Sequence, residues 1–358
     1  MKQLYDCKSD IQKCSKCGLC QASCPLFKVT LNDCAIPRGQ LTMLEGLLKK
    51  ELKRTSKIKQ YLDLCLNCGK CVPKCPGGVS IPDIIALAKF EYVKNSFCER
   101  FLSFLQKILV LKLLLGVLKI FSKNKKSEKF SRKVIYFGGC KGKIRGNFFV
   151  VQFLNKLNIE VVSPDFECCG NPFLIRGDLK TYNDYIDSFI NIVKKYDIKE
   201  VVTSCVGCEK NLRNYIKWVD DDKKKAILSE LTITNIYEYA KEFLCKRAPE
   251  ISLNITYHKP CSDNNFLNIE DLLQSIKNVN YIQMNEYDSC CGLNGFTNLR
   301  NIFTVYKIIK KKRKNIINSK AKYVLTTCFG CEILLKSISL FKYKTVDLLE
   351  FLVKYTID

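Results

Sequence analysis

Two copies of one short cysteine pattern constrain this chain more than any other feature. Each copy reads Cys-x2-Cys-x2-Cys-x3-Cys-Pro, and every cysteine of the second copy lies 51 residues after its counterpart in the first. A zinc ribbon needs only two Cys-x2-Cys pairs, and neither it nor a disulfide framework explains three evenly spaced cysteines plus Cys-Pro, twice. The repeated pattern is instead typical of two [4Fe–4S] clusters. It uses eight of the 22 cysteines: Cys14, Cys17, Cys20, Cys24, Cys65, Cys68, Cys71 and Cys75.

The spacing also predicts which cysteines share a cluster. In such runs the first three thiolates hold one cubane, and the fourth cysteine, which precedes a proline, binds the cluster of the other run. Small glycines after the second cysteine of each run, Gly18 and Gly69, let backbone amides approach the sulfur atoms. The predicted ligand sets are Cys14, Cys17, Cys20 and Cys75 for cluster 1, and Cys65, Cys68, Cys71 and Cys24 for cluster 2.

Length and charge limit the class of protein. A chain of 358 residues with 47% hydrophobic residues is expected to form two or three packed domains. The first residues contain no apolar signal segment, and many thiols without export indicate the reducing cytosol. The net charge of +24 comes from lysines spread along the chain, without any nucleic-acid-binding motif. We therefore expect anionic lipid or an acidic partner subunit, and no nucleic acid, at the basic surface.

Four segments are predicted along the chain. Residues 1–95 form a helical ferredoxin-like domain, with a leucine stripe that predicts a helix over 38–59 and a second helix from Ile81. Residues 96–132 are an apolar helix and a charged linker. Within them, 101–121 are apolar but contain three lysines, which favours a helix in the membrane interface over a buried connecting helix or a true span.

The remaining sequence alternates short apolar strands with helical patterns. Strands are predicted at 134–137, 159–162, 200–203, 254–257, 281–284 and 323–327. The scheme repeats, which predicts two homologous α/β units, a first cysteine-rich domain at 133–245 and a second at 246–358. The predicted fold class is thus a helical bacterial-type 2[4Fe–4S] ferredoxin domain followed by two repeated α/β domains.

Each α/β unit carries five cysteines in the same order. Matching positions differ by 121 to 123 residues, and most follow a predicted strand. The carboxyl edge of a parallel sheet would gather them into one site per unit. Five thiolates exceed what one zinc needs, so an iron–sulfur cluster of unusual geometry is favoured over a structural zinc or a redox dithiol. The predicted metal ligands are Cys140, Cys168, Cys169, Cys205 and Cys208, then Cys261, Cys290, Cys291, Cys328 and Cys331.

The motifs resemble a known family. The sequence Pro-Arg-Gly-Gln-Leu-Thr-Met-Leu-Glu-Gly at 37–46, the run at 63–71 and the two Cys-Cys-Gly units look like the iron–sulfur subunits of glycolate oxidase. The wider group contains the lactate-utilisation iron–sulfur proteins, the iron–sulfur subunit of anaerobic glycerol-3-phosphate dehydrogenase and the cysteine-rich subunit of heterodisulfide reductase. The resemblance covers nearly the whole chain. It implies an electron-transfer subunit that passes electrons from a flavoprotein partner toward quinone, in the cytoplasm at the inner face of the membrane.

Other residues refine this interpretation. Because no glycine-rich phosphate loop follows a strand, flavin and small-molecule substrate are expected on the partner. His258, the only histidine, is either a packed residue or a donor to a cluster sulfur. The basic run at 310–314 is interpreted as a solvated helix face or a docking patch. Four cysteines have no assigned role: Cys7, Cys34, Cys98 and Cys245.

Competing functions remain open from sequence. The first alternative is a catalytic subunit that cleaves a disulfide, as in heterodisulfide reductase, or the iron–sulfur subunit of a glycerol-3-phosphate dehydrogenase. A regulatory zinc protein and a nucleic-acid binder are further alternatives. Metal content and the need for an added flavoprotein distinguish these classes.

Overall fold

The computed structural model of the chain describes residues 3–94, 130–239, 252–263, 268–293 and 301–356. Contacts divide it into two compact units. The first takes Met1–Lys107, Gly170–Asn183 and Ser289–Lys312, and the second takes Ile108–Cys169, Asp184–Asp288 and Arg313–Asp358. The first unit thus joins the ferredoxin-like residues to two segments from the cysteine-rich domains.

The ferredoxin-like part is built from short helices and loops. Its core is apolar and includes Leu41, Leu44 and Leu62 with Ile84 and Ile85. Three 3-10 turns connect the helices, at Leu4–Cys7, Asp33–Ala35 and Val72–Lys74. The helices are α1 (Lys8–Gln12), α2 (Leu19–Ser23), α3 (Phe27–Thr30), α4 (Pro37–Leu48), α5 (Ser56–Leu64) and α6 (Ile81–Lys94).

The helix predicted over 38–59 is two helices, which corrects the sequence prediction. α4 ends at Leu48, and Lys50 then takes a left-handed backbone conformation with φ of 62°. Thr55 starts the next helix, because its side chain accepts a hydrogen bond from the amide of Ile58 at 3.3 Å. The helix predicted from Ile81 is confirmed as α6, and its apolar residues are buried.

The second half contains two parallel sheets of identical topology. Their strand orders are β2-β1-β3-β4 and β6-β5-β7-β8, and every pairing is parallel. This repetition confirms the predicted pair of α/β units. The strands are β1 (Arg132–Phe137), β2 (Ile159–Val162), β3 (Glu200–Thr203), β4 (Thr232–Asn235), β5 (Leu253–Tyr257), β6 (Val279–Tyr281), β7 (Tyr323–Thr326) and β8 (Lys344–Asp347).

The sheets differ from the sequence prediction in the position of one strand and in two strands that were not predicted. β6 ends at Tyr281, whereas the strand was predicted at 281–284. The edge strands β4 and β8 were not predicted, because each is only four residues long and mixes polar with apolar side chains. Helices link the strands, as required for parallel pairing.

The connecting helices cover the faces of the sheets. Buried apolar residues of both repeats, such as Val134, Phe153, Leu273 and Phe351, belong to one hydrophobic core of the second compact unit. The repeats therefore fold against each other. The helices are α7 (Gly139–Arg145), α8 (Phe148–Lys156), α9 (Asn171–Arg176), α10 (Leu179–Tyr196), α11 (Val206–Asn214), α12 (Asp222–Glu230), α13 (Ile269–Ser275), α14 (Ile302–Asn318), α15 (Phe329–Ser337) and α16 (Leu348–Thr356).

Some predictions concern residues outside this description. The apolar segment at 101–121, the charged run after it, and Cys98 and Cys245 all lie outside the described residues. Among the described helices, none is long and apolar enough to cross a membrane.

Candidate iron–sulfur centres

The two cysteine runs of the first unit share one local backbone geometry. Lys16 and Asn67, each between the first two cysteines of its run, have positive φ angles of 58° and 51°. Gly18 and Gly69, directly after the second cysteine, have φ of 83° and 73°. These pairs obey the same offset of 51 residues as the cysteines. The sequence repeat is therefore a repeat of loop structure.

Each thiol lies in or beside a short element. In the first run, Cys17 is exposed, Cys14 and Cys20 are half-buried and Cys24 is buried at the end of α2. In the second run, Cys65 follows α5 and Cys71 is buried before the turn Val72–Lys74, which Cys75 ends. Cys68 is half-buried.

The pKa shifts of two buried thiols show which cysteines of the two runs are close to each other. The pKa of the Cys24 thiol is raised to about 11, mainly by burial and in smaller part by the negative charges of Cys65 and Cys20. Burial also raises the pKa of Cys71, helped by Cys65, Cys68 and Cys24. Thus Cys24 lies close enough to Cys65 and Cys71 of the second run to affect their charges, and Cys20 of its own run acts on Cys24 and Cys71 as well. On the other side, α2, which carries Cys20, packs against the turn that leads to Cys75.

Amides at the first run point toward sulfur. The amide of Leu19, followed by the side chain of Ser15, lowers the pKa of Cys17. The amide of Arg38, in the first turn of α4, hydrogen-bonds Cys20 and opposes the rise in pKa that burial causes there. Amide donors to thiolate sulfur are the groups that stabilise and tune iron–sulfur clusters. The donor set of the eight thiols thus fits two [4Fe–4S] clusters.

The Pro-Arg-Gly-Gln motif supports the loop that carries these thiols. Pro37 begins α4, and the guanidinium of Arg38 forms an ion pair with Asp33 and donates two hydrogen bonds to it. A Cβ atom on Gly39 would lie 2.1 Å from the carbonyl oxygen of Asp33. The buried amide of Gln40 donates to the carbonyls of Ala35 at 3.2 Å and Tyr61 at 2.7 Å. The sequence had predicted a helix and a family resemblance for these residues, but not these contacts.

The first cysteine-rich repeat presents its thiols at the carboxyl ends of parallel strands. Cys140 lies on α7 after β1, and Cys205 follows β3 closely and caps α11. Cys168 and Cys169 follow β2 and are buried, as is Cys208 in the first turn of α11. Because β2, β1 and β3 are neighbours in a parallel sheet, the cysteines that follow them lie at the same carboxyl edge, as predicted.

The second repeat follows the same plan. Cys261 comes after β5, and Cys328 caps α15 as Cys205 caps α11, with Cys331 buried in the first turn. Cys290 and Cys291 are also buried, but they belong to the first compact unit. There the amide of Gly292 donates to the sulfur of Cys290 at 3.5 Å.

Thiols of the two repeats meet at one junction in the second unit. Cys168 donates to Cys140 and Cys169, and these contacts with burial hold its pKa well above the usual range. Cys208 donates likewise to Cys169 and Cys205. Cys205 accepts from Cys208 and from Cys328, which lowers its pKa. The contacts therefore form a continuous row of Cys140, Cys168, Cys169, Cys208, Cys205, Cys328 and Cys331.

The backbone also joins the repeats at this junction. The amide of Val206 donates to the carbonyl of Thr327 at 3.1 Å. A Cβ atom at Gly207 would meet the sulfur atoms of Cys328 at 3.6 Å and Cys205 at 3.7 Å. The sequence predicted one five-cysteine site in each repeat, and the structure adds that the two predicted sets are in contact at Cys205 and Cys328. Adjacent soft sulfur donors fit iron–sulfur clusters or zinc at these positions.

His258 lies at the end of β5 and is fully buried. A ring nitrogen of His258 is within 4.8 Å of the sulfur of Cys331. Its backbone amide donates to the carbonyl of Leu325 at 2.8 Å, which ties β5 to β7. The structure therefore puts the histidine beside the Cys-x2-Cys pair of the second repeat.

Buried charges surround the row of thiols and were missed by sequence reasoning. Lys141 pairs with Asp347 at 2.9 Å and donates to the carbonyl of Ser204 at 3.3 Å. Burial raises the pKa of Glu332 to about 7, although Arg145 forms an ion pair with it. Both repeats place a glutamate directly after the Cys-x2-Cys pair, a signal that aligning the repeats would have revealed.

The remaining cysteines and the basic run have simpler surroundings. Cys7 is half-buried against the ferredoxin core, and Cys34 is exposed. In the run at 310–314 on α14, Lys310, Lys311 and Lys314 are exposed, but Lys312 is only 1% exposed. The run is thus not wholly a solvated face, which corrects that interpretation.

Comparisons with known proteins agree with this architecture. The 4Fe-4S dicluster domain family matches residues 10–79, and the cysteine-rich domain family matches 134–213 and 255–336. An uncharacterised iron–sulfur protein of Methanococcus maripaludis is 26% identical, over 96% of this chain and 71% of the relative. The probable glycolate oxidase iron–sulfur subunit of Bacillus subtilis is 21% identical, over 92% and 89%. One of the subunits of the dihydromethanophenazine:CoB–CoM heterodisulfide reductase of Methanosarcina mazei is 20% identical, over 90% and 88%.

These matches confirm the family predicted from the cysteine motifs. They cover the dicluster run, both Cys-Cys-Gly units and the order in which the chain presents them. The chain therefore belongs to the family of iron–sulfur oxidoreductase subunits, similar to those of glycolate oxidase, in which one 4Fe-4S dicluster domain precedes two cysteine-rich domains.

Proposed function

We propose that this chain is the electron-transfer subunit of a flavin-dependent 2-hydroxyacid dehydrogenase acting on glycolate or lactate. A flavoprotein partner would oxidise the hydroxyacid to the 2-oxoacid and take up two electrons as reduced flavin. This chain would accept those electrons singly and pass them toward quinone, in the cytoplasm at the inner face of the membrane. The observation that supports the proposal is that buried thiols of the two cysteine runs lie close to each other, in a chain similar to a glycolate oxidase subunit over most of both lengths.

The proposed ligand sets are those predicted from sequence. Cluster 1 takes Cys14, Cys17, Cys20 and Cys75, and cluster 2 takes Cys65, Cys68, Cys71 and Cys24. When bound, such clusters supply one-electron transfer, which a two-electron flavin needs from its partner. The protein's own part is to hold the thiols in fixed loops, donate amides to sulfur and bury Cys24 and Cys71 away from water. The proposed domain limits are 1–95, 96–132, 133–245 and 246–358.

Crossed ligation makes a specific experiment available. The full chain is purified anaerobically, iron and sulfide are measured, and the reduced EPR spectrum is recorded. Cys75→Ser is expected to remove the cluster held by the first run, and Cys24→Ser the cluster held by the second. Each variant should lose about four irons, because one [4Fe–4S] cluster contains four. If each variant instead loses the cluster of its own run, the ligand assignment is wrong.

A second measurement tests the role in electron transfer. The purified chain is mixed with a flavoprotein hydroxyacid dehydrogenase, and the visible absorption of its clusters is followed after glycolate or lactate is added. Bleaching only when the flavoprotein is present supports the relay. Bleaching by hydroxyacid without any flavoprotein would contradict it.

A disulfide reductase is the second candidate function. The observation that favours it is the contact of Cys205 with Cys328. Because of this contact, metal sites built from the thiols of the two repeats would be adjacent. Cleavage of a disulfide takes two electrons and two protons and yields two thiols, so two adjacent one-electron centres would suit it. A relative named as a heterodisulfide reductase component is similar over 90% of this chain. Reduction of a disulfide by the isolated chain with an artificial donor, and about sixteen irons per chain, would favour this candidate.

A further inference from the structure

One buried cation of the first unit has no carboxylate of its own among the described residues. Lys89 lies on α6 and is only 2% exposed. Its ammonium donates to the carbonyl oxygen of Ile175 on α9 at 3.1 Å, the one acceptor that the described residues place within hydrogen-bond reach. A carbonyl carries only a partial charge. Burying an ammonium on such terms is unfavourable, since it loses its water shell without gaining an opposite charge.

The site is closed by tight packing. α9 packs against α6, and Gly177 follows α9 with φ of 85°. A Cβ atom on Gly177 would lie 2.6 Å from the Cβ of Lys89 and 2.6 Å from the amide nitrogen of Phe90. The glycine therefore allows the backbone to seal the lysine from solvent. Such packing leaves little room for water around the ammonium.

Other buried lysines show what a balanced site contains. Lys59 pairs with Asp63 at 2.6 Å, and Lys141 pairs with Asp347 at 2.9 Å. Asp63 also attracts Lys89, but its carboxylate already bonds Lys59. Two cations thus share one aspartate in this region. One further negative charge is needed for Lys89.

The second cysteine run is a source of that charge, because Cys65 directly follows α5, which packs against the helix of Lys89. Burial lowers the pKa of Lys89, whereas the negative charges of Asp63 and of the Cys65 thiolate raise it. Four thiolates around a [4Fe–4S] core give the whole centre a net negative charge. This charge would act on an ammonium that has no carboxylate of its own among the described residues.

We propose that Lys89 is the built-in counter-cation of cluster 2, and that it raises the reduction potential of this cluster relative to cluster 1. The proposal rests on the ligand sets given under Proposed function. A buried positive charge stabilises the reduced cluster more than the oxidised one, because reduction adds one negative charge. Lys89 would thereby make cluster 2 the easier of the two to reduce.

The experiment is an EPR-monitored redox titration of the anaerobically purified full chain, with sodium dithionite as the reductant. Lys89→Met keeps the length of the side chain but removes its charge, and we expect it to shift one midpoint potential to a more negative value. A roughly tenfold drop in the reduced-to-oxidised ratio of that cluster at fixed potential corresponds to about 59 mV for one electron. Lys89→Arg keeps the positive charge and should shift this potential much less than Lys89→Met does.

A matched control is available on the same helix. Lys94, the last residue of α6, is exposed, so Lys94→Met removes the same charge in a place screened by water. It should leave both potentials unchanged. In the Cys75→Ser background, Lys89→Met should shift the remaining cluster, and in the Cys24→Ser background it should shift nothing. A shift of both clusters alike, or of neither, would overturn the proposal.

A purely structural role gives a different result. In protein stripped of iron, Lys89→Met should be at least as resistant to urea as the stripped wild type, because the variant no longer buries a charge. If the stripped variant is less stable, Lys89 acts through packing and the counter-cation proposal is wrong. Absence of two cubane signals in the wild-type protein would instead refute the ligand sets themselves.

Discussion

At the scale of single residues, the ferredoxin loop requires a glycine at position 39, because there is no room for a side chain. Gly39 lies in the first turn of α4, where the carbonyl of Asp33 and the Cα of Cys34 occupy the space that a methyl group would need. Both obstacles are backbone atoms, so no side-chain rotation can relieve the contact. Gly78, in contrast, has φ of 62° but open space around its Cα.

Gly39→Ala is therefore expected to prevent assembly of the ferredoxin domain. The methyl group would displace the Asp33–Cys34 backbone and with it the start of α4, whose Arg38 amide bonds Cys20. We expect loss of about half or more of the iron bound by the dicluster region. The measurement is iron per chain in anaerobically purified protein.

Gly78→Ala is the control for that substitution. It imposes a left-handed conformation on alanine at a cost of about 1–2 kcal/mol, with no steric overlap. Its iron content should match the wild type. Equal iron loss in both variants would mean that backbone strain, and not the contact with Asp33, is what matters.

At the scale of elements, one polar residue joins two helices of the ferredoxin domain. Gln40 is fully buried on α4, and its amide nitrogen bonds the carbonyls of Ala35, before the helix, and Tyr61, on α5. These bonds connect the chain on either side of the break at Leu48. The break lets α5 pack against α4.

Gln40→Leu should destabilise the protein by about 2 kcal/mol or more, because two buried carbonyls would lose their donor. The measurement is urea denaturation of the holo-protein, followed by far-UV circular dichroism. Thr42→Val on the exposed side of the same helix removes only a hydroxyl that bonds the Arg38 carbonyl. It should change stability by less than about 0.5 kcal/mol, and a larger effect there than at Gln40 would contradict this account.

At the scale of the whole molecule, the two cysteine-rich repeats contact each other within the second compact unit. They share a hydrophobic core, their thiols touch at Cys205 and Cys328, and the ion pair of Lys141 with Asp347 joins α7 of one repeat to β8 of the other. Tyr237 also donates to the carboxylate of Asp347 at 3.3 Å. A substitution in one repeat should therefore change the stability of the other.

A double-mutant cycle tests this connection. Lys141→Met and Asp347→Asn each leave a buried partner without its opposite charge and should cost about 3–5 kcal/mol. The double variant should cost clearly less than the two single variants combined, because no charge is then left unpaired. Unfolding in urea provides the free energies.

The exposed pair of Lys133 and Glu160, 3.1 Å apart, is the reference for the buried pair. Lys133→Met should change the free energy of unfolding by less than about 1 kcal/mol, because water screens an exposed pair. Additive effects of Lys141→Met and Asp347→Asn would show that the two residues do not stabilise the repeats through each other.

Short-range pattern was enough to predict most of the architecture. The run containing Cys14 and the run containing Cys65 each specify a loop within eleven residues, and their equal spacing led to similar backbone angles. Strands such as β1 and β3 were readable because buried parallel strands are short apolar runs. Edge strands β4 and β8 were not, because they mix polar with apolar residues and their pairing partner supplies much of their stability.

By itself the sequence determined the number of cysteine sets, their internal repeat and the order of domains, because these depend on residues close together in the chain. Only the tertiary structure decided that Cys205 meets Cys328, that Lys141 finds Asp347, and that Lys89 is sealed against a carbonyl 86 residues away. Each of these contacts joins distant segments. Their geometry and burial depend on how the helices and sheets pack, and this packing produces no recognisable pattern among residues that are close in sequence.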